Sequence, residues 1–380
     1  MAEQRRIRER LVAALEAVVL PNADDWEARR HIPPDGWRLL AEHGLLGVPH
    51  SGPGFQETAV LMEELGRTGY AGIRAAVAVH ACMATFYLAR FGSPQQHERF
   101  LAPARRGEQI AALALSESDA GTDLNNLATR ADPDGHGGYR VSGRKSYVAN
   151  GSQAGFYICL ARTRTTAKPG RALGGSGLLI IDADTPGLTV TPQPMLGWRA
   201  ADMCEITLAD VRVSGDRLIG KAGHTLSYLM AALDFERLVA GLLAIGGAAH
   251  AIAATRSFTR HRHLGGAPLA ANQTVRHALA DLVAELEVVR CYARRAAIRY
   301  GQGRLETDVA SIVKLRATEL AVSASRVCMQ YHGAAGYSDD SVAARIYRDA
   351  AAATIAAGPN ELMRDIIFET TEEASCTSSC

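Results

Sequence analysis

Five short segments decide the fold: Tyr139-Arg-Val-Ser-Gly143, Gly155-Phe-Tyr-Ile-Cys-Leu-Ala161, Gly177-Leu-Leu-Ile-Ile-Asp182, Gly187-Leu-Thr-Val-Thr-Pro192 and Cys204-Glu-Ile-Thr-Leu-Ala-Asp-Val-Arg-Val213. Each is β-branched or alternating and is set off by turn residues, so each reads as a strand. No helical stretch intervenes, which predicts antiparallel β, a small barrel or sandwich. Lys168 to Gly177, rich in Gly and holding Pro169, is the expected loop between two strands. Outward in both directions the period turns helical. Upstream, Ile7 to Val19, Asp35 to Gly44, Glu57 to Leu65 and Ala71 to Phe91 carry apolar residues at helix spacing, and the second starts on Asp and stops on Gly. Downstream of Gly220, Thr225 to Arg256, Ala270 to Tyr300, Thr307 to Tyr331 and a last segment from Asn360 continue the pattern. The expected fold is α+β. It has an N-terminal α-helical domain over 1–112, a central antiparallel β-barrel or sandwich over 113–220, and a C-terminal four-helix bundle over 221–370. A disordered tail, 371–380, closes it.

Composition narrows the function. The 380 residues hold 41 Lys+Arg against 40 Asp+Glu, and this balance argues against nucleic acid, whose phosphates need a basic excess. Hydrophobic residues make up 47% and charged residues 21%, the mix of a globular chain. The longest apolar run, Leu238 to Ala254, is broken by Gly241, Gly246, Gly247 and His250, which favours a helix buried on all sides over a membrane span. The N-terminus shows no apolar signal segment. Seven cysteines, an odd number scattered through apolar stretches, argue against a disulfide framework and for a reducing cytoplasm.

No G-x-G-x-x-G, P-loop or G-x-S-x-G occurs. His261 and His263 do not share a helical face and have no ligand partners nearby in sequence, so no metal is expected. Four segments stand out. Leu113-Ala-Leu-Ser-Glu-Ser-Asp-Ala-Gly-Thr-Asp123 offers hydroxyls and backbone N–H groups where helix gives way to strand. Arg144-Lys-Ser-Tyr-Val-Ala-Asn-Gly151 sets an aromatic and an Asn-Gly turn beside a strand. Gln330-Tyr-His-Gly-Ala-Ala-Gly-Tyr337 ends a helix on small residues that allow close backbone approach. Arg348-Asp-Ala350 leads to Ile355-Ala-Ala-Gly-Pro-Asn-Glu361.

In this order on an α–β–α frame, these segments resemble the acyl-CoA dehydrogenase family from about Arg29 to Glu369. Leu115-Ser-Glu-Ser-Asp-Ala-Gly-Thr-Asp123 is similar to its T-E-P-x-A-G-S-D loop, Tyr147-Val-Ala-Asn-Gly151 to its W/F-I-T-N-G strand, and Pro194 to Gly220 to its L-G-x-R…V-P…L-G stretch. The resemblance implies FAD bound without a Rossmann fold. By the family pattern, Leu113, Leu115 and Ser116 contact the ring edge, Gly121 and Thr122 the pyrophosphate, and Tyr147 the flavin face. Ala149 stands where a hydroxyl usually bonds flavin N5, and Gly265 where a Phe usually packs on FAD. Arg262 and the turn from Gln330 to Gly333 are implied to reach the FAD of a neighbouring subunit, giving a homodimer or homotetramer, and Gln273 and Ala334 are further implied cofactor residues. The substrate implied is an acyl thioester of CoA or of an acyl- or peptidyl-carrier protein, met by Thr122, Asp234, Arg237, Ala357 and Gly358. An electron-transfer flavoprotein is the implied electron acceptor.

The chemistry needs a carboxylate to take the α proton. In most of the family it directly precedes the Gly matched by Gly358, but here that residue is Ala357. The isovaleryl and long-chain branch carries it on an earlier helix, at an E-R pair after L-D, and this chain has Leu233-Asp-Phe-Glu-Arg237. Glu236 is therefore the expected base, with its pKa raised by desolvation. Tyr147 and Ala149 are expected on one strand, facing the same way as residues i and i+2. The leading expectation is an FAD-dependent dehydrogenase that makes an α,β-double bond in a short or branched acyl thioester. A flavin monooxygenase on the same fold and a non-catalytic FAD-binding homologue are the alternatives.

Overall fold

A computed structural model of the chain describes residues 2–163 and 172–377. Helices α1 (Ala2–Val18), α2 (Ala23–Arg29), α3 (Pro34–Glu42), α4 (Phe55–Arg67), α5 (Ala71–Ala78) and α6 (Thr85–Phe91) come first, α5 passing into α6 through a π-helical stretch, Val79–Ala84. Two short helices, α7 (Pro94–Gln96) and α8 (Ala102–Arg105), lead to the sheet. Its strands are β1 (Ala111–Ala114), β2 (Arg130–Pro133), β3 (Tyr139–Val148), β4 (Phe156–Arg162), β5 (Ser176–Asp182), β6 (Leu188–Pro192) and β7 (Cys204–Val213). The spatial order is β1-β4-β2-β3-β7-β6, with β5 on β4.

The five quoted segments all fall on strands. β1 and β2 are additional, each four residues long, too short to show a period. Pairing is antiparallel except that β4 runs parallel to β1 and to the end of β2, since both chain connections re-enter the sheet in the same direction. The loop expected from Lys168 lies outside the described residues up to 171; beyond it, Ala172–Gly175 forms a 3-10 turn that leads into β5.

The C-terminal helices are α9 (Thr225–His261), α10 (Gln273–Gly301), α11 (Thr307–Gly336), α12 (Val342–Ile355) and α13 (Asn360–Thr377). The sequence reading missed α12, whose Ala350-Ala-Ala-Ala353 run gives little contrast between faces. The tail expected to be disordered from 371 is helical through Thr377. Residues 378–380 lie outside the described residues.

Helix α9 is the axis of the molecule, packed against α4, α10, α11 and α12. Its apolar residues surround it because it has neighbours on every side. Backbones of α4 and α9 touch where Gly66 meets Gly246: a Cβ on Gly246 would sit 2.1 Å from the Glu63 carbonyl oxygen. Ala71–Phe91 and Thr225–His261 are long and apolar enough to cross a membrane, yet both are mostly buried in this fold. The sheet meets α9 and α5 at one end, and the candidate site lies at that junction.

Candidate active site

A cavity of about 350 Å³ opens where α5, the β1 and β3 ends, α9 and the α12–α13 turn converge. That volume lies within the roughly 300–1,000 Å³ of small-molecule and cofactor sites. Leu113, Leu115, Ser116, Gly121 and Thr122 line it from β1 and the loop that follows. This loop is held from beneath. Glu117 and Lys145 form a buried ion pair at 2.9 Å, and Lys145 Nζ also donates to the Leu115 carbonyl at 3.0 Å. Burial alone would raise the Glu117 carboxyl, but Lys145 and the Ala128 and Thr129 N–H donors outweigh it and hold the pKa below its ordinary value. The sequence reading passed over this pair. A Lys following Arg144 inside a strand gave no local sign that it, and not its neighbour, would be buried.

Tyr147 and Ala149 both line the cavity, but not by strand alternation. The register of β3 on β7 shifts between Lys145 and Val148, and Tyr147 has a left-handed φ of 59°. That bulge swings the Tyr147 ring out to 58% exposure while its N–H donates to Gln193 Oε1 at 2.7 Å. Ala149 lies in the turn after the strand. Trp198 and Ala357 also line the cavity with left-handed φ values of 54°. Non-glycine residues held in this region cost about 1–3 kcal/mol each and gather at functional sites.

Helix α9 contributes Leu233, Glu236, Arg237, Ala240 and Leu243. Glu236 is 7% exposed, and the Tyr87 hydroxyl donates to its Oε1 at 3.3 Å. Burial pushes the Glu236 carboxyl up to about 7, against the pull of Tyr87 and Arg237. Arg237 pairs with Asp234 at 3.0 Å, and its buried Nε has no hydrogen-bond partner. Asp234 does not line the cavity; it holds Arg237 and accepts from the Thr307 hydroxyl at 2.8 Å.

Ala357 and Gly358 close the same cavity from the α12–α13 turn. A residue the sequence reading missed sets that turn. Lys314 of α11 is fully buried and donates to the Thr354 carbonyl at 3.1 Å, the Gly358 carbonyl at 2.5 Å and Asn360 Oδ1 at 2.9 Å.

The other expected residues lie elsewhere. Arg262 and Gln273 are exposed at the end of α9 and the start of α10; Gln330, Gly333 and Ala334 are exposed at the end of α11. None of them lines the cavity, and α11 loses helical geometry at Gly333. Among the described residues no cluster could hold a metal ion.

Family models of the N-terminal, middle and C-terminal domains of acyl-CoA dehydrogenases match residues 1–108, 112–211 and 223–371 in turn. The chain belongs to the acyl-CoA dehydrogenase family. It is 30% identical to a Bacillus subtilis protein named "Probable acyl-CoA dehydrogenase", over 96% of this chain and 97% of that one. The crystal structure of an acyl-CoA dehydrogenase from Geobacillus kaustophilus superposes with a TM-score of 0.91 at 31% identity, covering 98% of each chain. A prolyl acyl carrier protein oxidase superposes at 0.88 and 26% identity, covering 98% of this chain and 99% of the other. As a member of the acyl-CoA dehydrogenase family the protein is an oxidoreductase acting on a CH–CH group.

The cavity suits the cofactor of acyl-CoA dehydrogenases, FAD. The Ser116, Thr122 and Ser146 hydroxyls that line it make no hydrogen bond among the described residues, which leaves them for a polar ring edge. The exposed Tyr147 ring and the Leu113 and Leu115 side chains supply flat apolar contact. Ala149 brings no hydroxyl to this set. Ala149→Thr is expected to change the rate of flavin reduction or of reaction with oxygen by about 2- to 10-fold, the worth of one hydrogen bond. Equal rates in both assays by stopped-flow spectroscopy would remove position 149 from the flavin site.

Proposed function

We propose that this chain dehydrogenates a short or branched acyl thioester between Cα and Cβ, with Glu236 as the base. One observation carries the reading: among the described residues lining the cavity, Glu236 supplies the sole carboxylate, and it is buried against apolar helix faces. FAD would be held by Leu113, Leu115, Ser116, Gly121, Thr122, Tyr147 and Ala149, and bound there would supply a two-electron acceptor for the β-hydrogen.

The residues of this chain do the proton chemistry. A thioester carbonyl acidifies the α C–H, and ionised Glu236 takes that proton as the C=C bond forms. A carboxylate in a dry pocket is a stronger base than one in water, and a pKa near 7 leaves it both ionised and basic at neutral pH. Tyr87 fixes the carboxylate orientation through its hydrogen bond. Ala357 and Gly358 line the same cavity from the α12–α13 turn, and the apolar lining excludes water that would compete for the base. Arg237, with Asp234 behind it, and Thr122 are assigned to the substrate. Arg262, Gln273, Gln330, Gly333 and Ala334, remote from this cavity, are assigned to the FAD of a neighbouring subunit, so the enzyme is a homodimer or homotetramer. An electron-transfer flavoprotein is the proposed electron acceptor. The carrier is CoA or a carrier protein; the structural likeness to a prolyl acyl carrier protein oxidase is the reason to test both.

Anaerobic mixing of the purified holoenzyme with acyl thioesters on both carriers tests the reading. Bleaching of the flavin with an enoyl thioester two hydrogens lighter is expected. A hydroxylated product that forms only with oxygen would instead support the monooxygenase alternative. The rate constant should also rise with pH through an apparent pKa near 7 as Glu236 ionises. Tyr87→Phe removes a donor that favours the ionised form, so it should move that limb to higher pH. An unmoved limb would show that Tyr87 does not act on the base.

A further inference from the structure

Helix α5 is built of Ala, Gly, Ile and Val apart from one charged residue, Arg74. Its side chain is 5% exposed and lines the same cavity as Glu236. One donor is used: Nη1 gives a hydrogen bond to the Leu243 carbonyl at 2.8 Å. The other N–H groups have no acceptor, and no carboxylate pairs with this guanidinium within 4.0 Å, among the described residues. Asp349 reaches it only at longer range, and Asp349 also serves Arg345 and Arg348 while accepting the Trp198 N–H at 2.8 Å. Burial lowers the Arg74 pKa to about 10, which leaves it charged at neutral pH. The other cavity guanidinium, Arg237, has its own carboxylate in Asp234. A buried, ionised and unpaired cation on a cavity wall is costly unless something that enters the cavity completes it.

Its place relative to the base indicates what enters. Leu233, Glu236, Ala240 and Leu243 recur at intervals of three and four on α9 and so form one stripe facing the cavity. Arg74 is bonded to the carbonyl of Leu243, seven residues beyond Glu236, which is about 10 Å along the helix axis. Ala75, Ala78 and Ala240 line the cavity with small apolar surfaces. An acyl chain with its α-carbon at Glu236 can run along this wall and end at the guanidinium after about three to five carbon–carbon bonds.

We propose that Arg74 binds a carboxylate at the far end of the acyl chain, so that the substrates are monothioesters of short dicarboxylic acids. This rests on the dehydrogenase reading above and deepens it. The planar guanidinium offers its free N–H groups to both oxygens of a carboxylate, and the pair forms in a site already stripped of water. A neutral chain of equal length would leave the cation buried and unmatched.

The test uses the holoenzyme and matched pairs of thioesters, one from a linear monocarboxylic acid and one from the dicarboxylic acid of the same length, each on CoA and on a carrier protein. Anaerobic flavin reduction gives kcat/KM. Calorimetry with the corresponding enoyl thioesters, which cannot be dehydrogenated again at that position, gives binding without turnover. We expect the dicarboxylic member of the best pair to be favoured by roughly 10- to 100-fold in both measurements. Arg74→Gln should collapse that ratio, and Arg74→Lys should retain part of it. If neutral thioesters reduce the flavin as well as their dicarboxylic partners at every length, the inference is overturned while the dehydrogenase reading stands. If no thioester reduces the flavin, both fall. Should either variant fail to fold, the comparison of substrates on the unaltered protein decides alone.

Discussion

Glu236→Gln should lower the rate of flavin reduction by an acyl thioester about 10²- to 10⁴-fold while fold and FAD content stay unchanged. The amide keeps the shape of the carboxyl and can still meet the Tyr87 hydroxyl, but it cannot take a proton. The double variant Glu236→Gln with Ala357→Glu should recover part of that loss, because position 357 lines the same cavity from the α12–α13 turn. Stopped-flow reduction measures both. A single variant that reduced its flavin at the normal rate would remove Glu236 from the mechanism. Stability supplies an independent check. The folded-state pKa is raised from 4.5 to about 7, so the folded chain holds a proton that the unfolded chain has released. The stability Glu236 contributes is therefore complete below about pH 4.5 and is lost as pH rises to about 7. Relative to the parent, the Gln variant should gain unfolding stability across that window and keep the advantage above it.

Lys314→Met should cost roughly 2–4 kcal/mol of stability and reduce activity as well. The substitution keeps the length and apolar stem of the side chain but removes the donors held by Thr354, Gly358 and Asn360. The half-buried Thr354 and Gly358 carbonyls then lose this donor, and Asn360 Oδ1 keeps only the Thr318 hydroxyl, at the turn that carries Ala357 and Gly358 into the cavity. Thermal unfolding should show the loss as a drop of roughly 2–5 °C in midpoint. If the midpoint and activity both matched the parent, the turn would be held by other contacts.

What the sequence could show follows from which physical signals are local. Strand and helix periods are local, so the β segments between Tyr139 and Val213 and the long helix through Leu238 stood out, and with them the order of the layers. Signals that depend on a partner distant in sequence did not. Arg74, Lys145 and Lys314 each read as ordinary surface charge until folding buried them, the first against Leu243, the second against Glu117, the third against Gly358. Arg74 alone shows a local trace, a single charge inside an apolar run, whereas Lys145 follows Arg144 and Lys314 stands two residues before Arg316. Leu113, Leu115, Ser116, Gly121, Thr122, Tyr147, Glu236, Ala357 and Gly358 were named from motifs in four separate segments, and the fold brings them to one cavity. Alternation failed at Tyr147 because a bulge in β3, invisible without its β7 partner, resets the phase there. Arg262, Gln273, Gln330, Gly333 and Ala334 are exposed and lie away from the cavity, so their proposed role waits on a neighbouring chain, which one sequence cannot place.

Transfer of the α proton to Glu236 can be followed by itself, without the hydride step. A thioester blocked at its β-carbon, with no hydrogen there to transfer, is incubated anaerobically with the holoenzyme in deuterium oxide, and α-deuterium is counted by mass spectrometry. The unaltered protein should wash deuterium into the α position, faster as pH rises through about 7, and Glu236→Gln should not. Equal exchange by the two proteins would contradict the account.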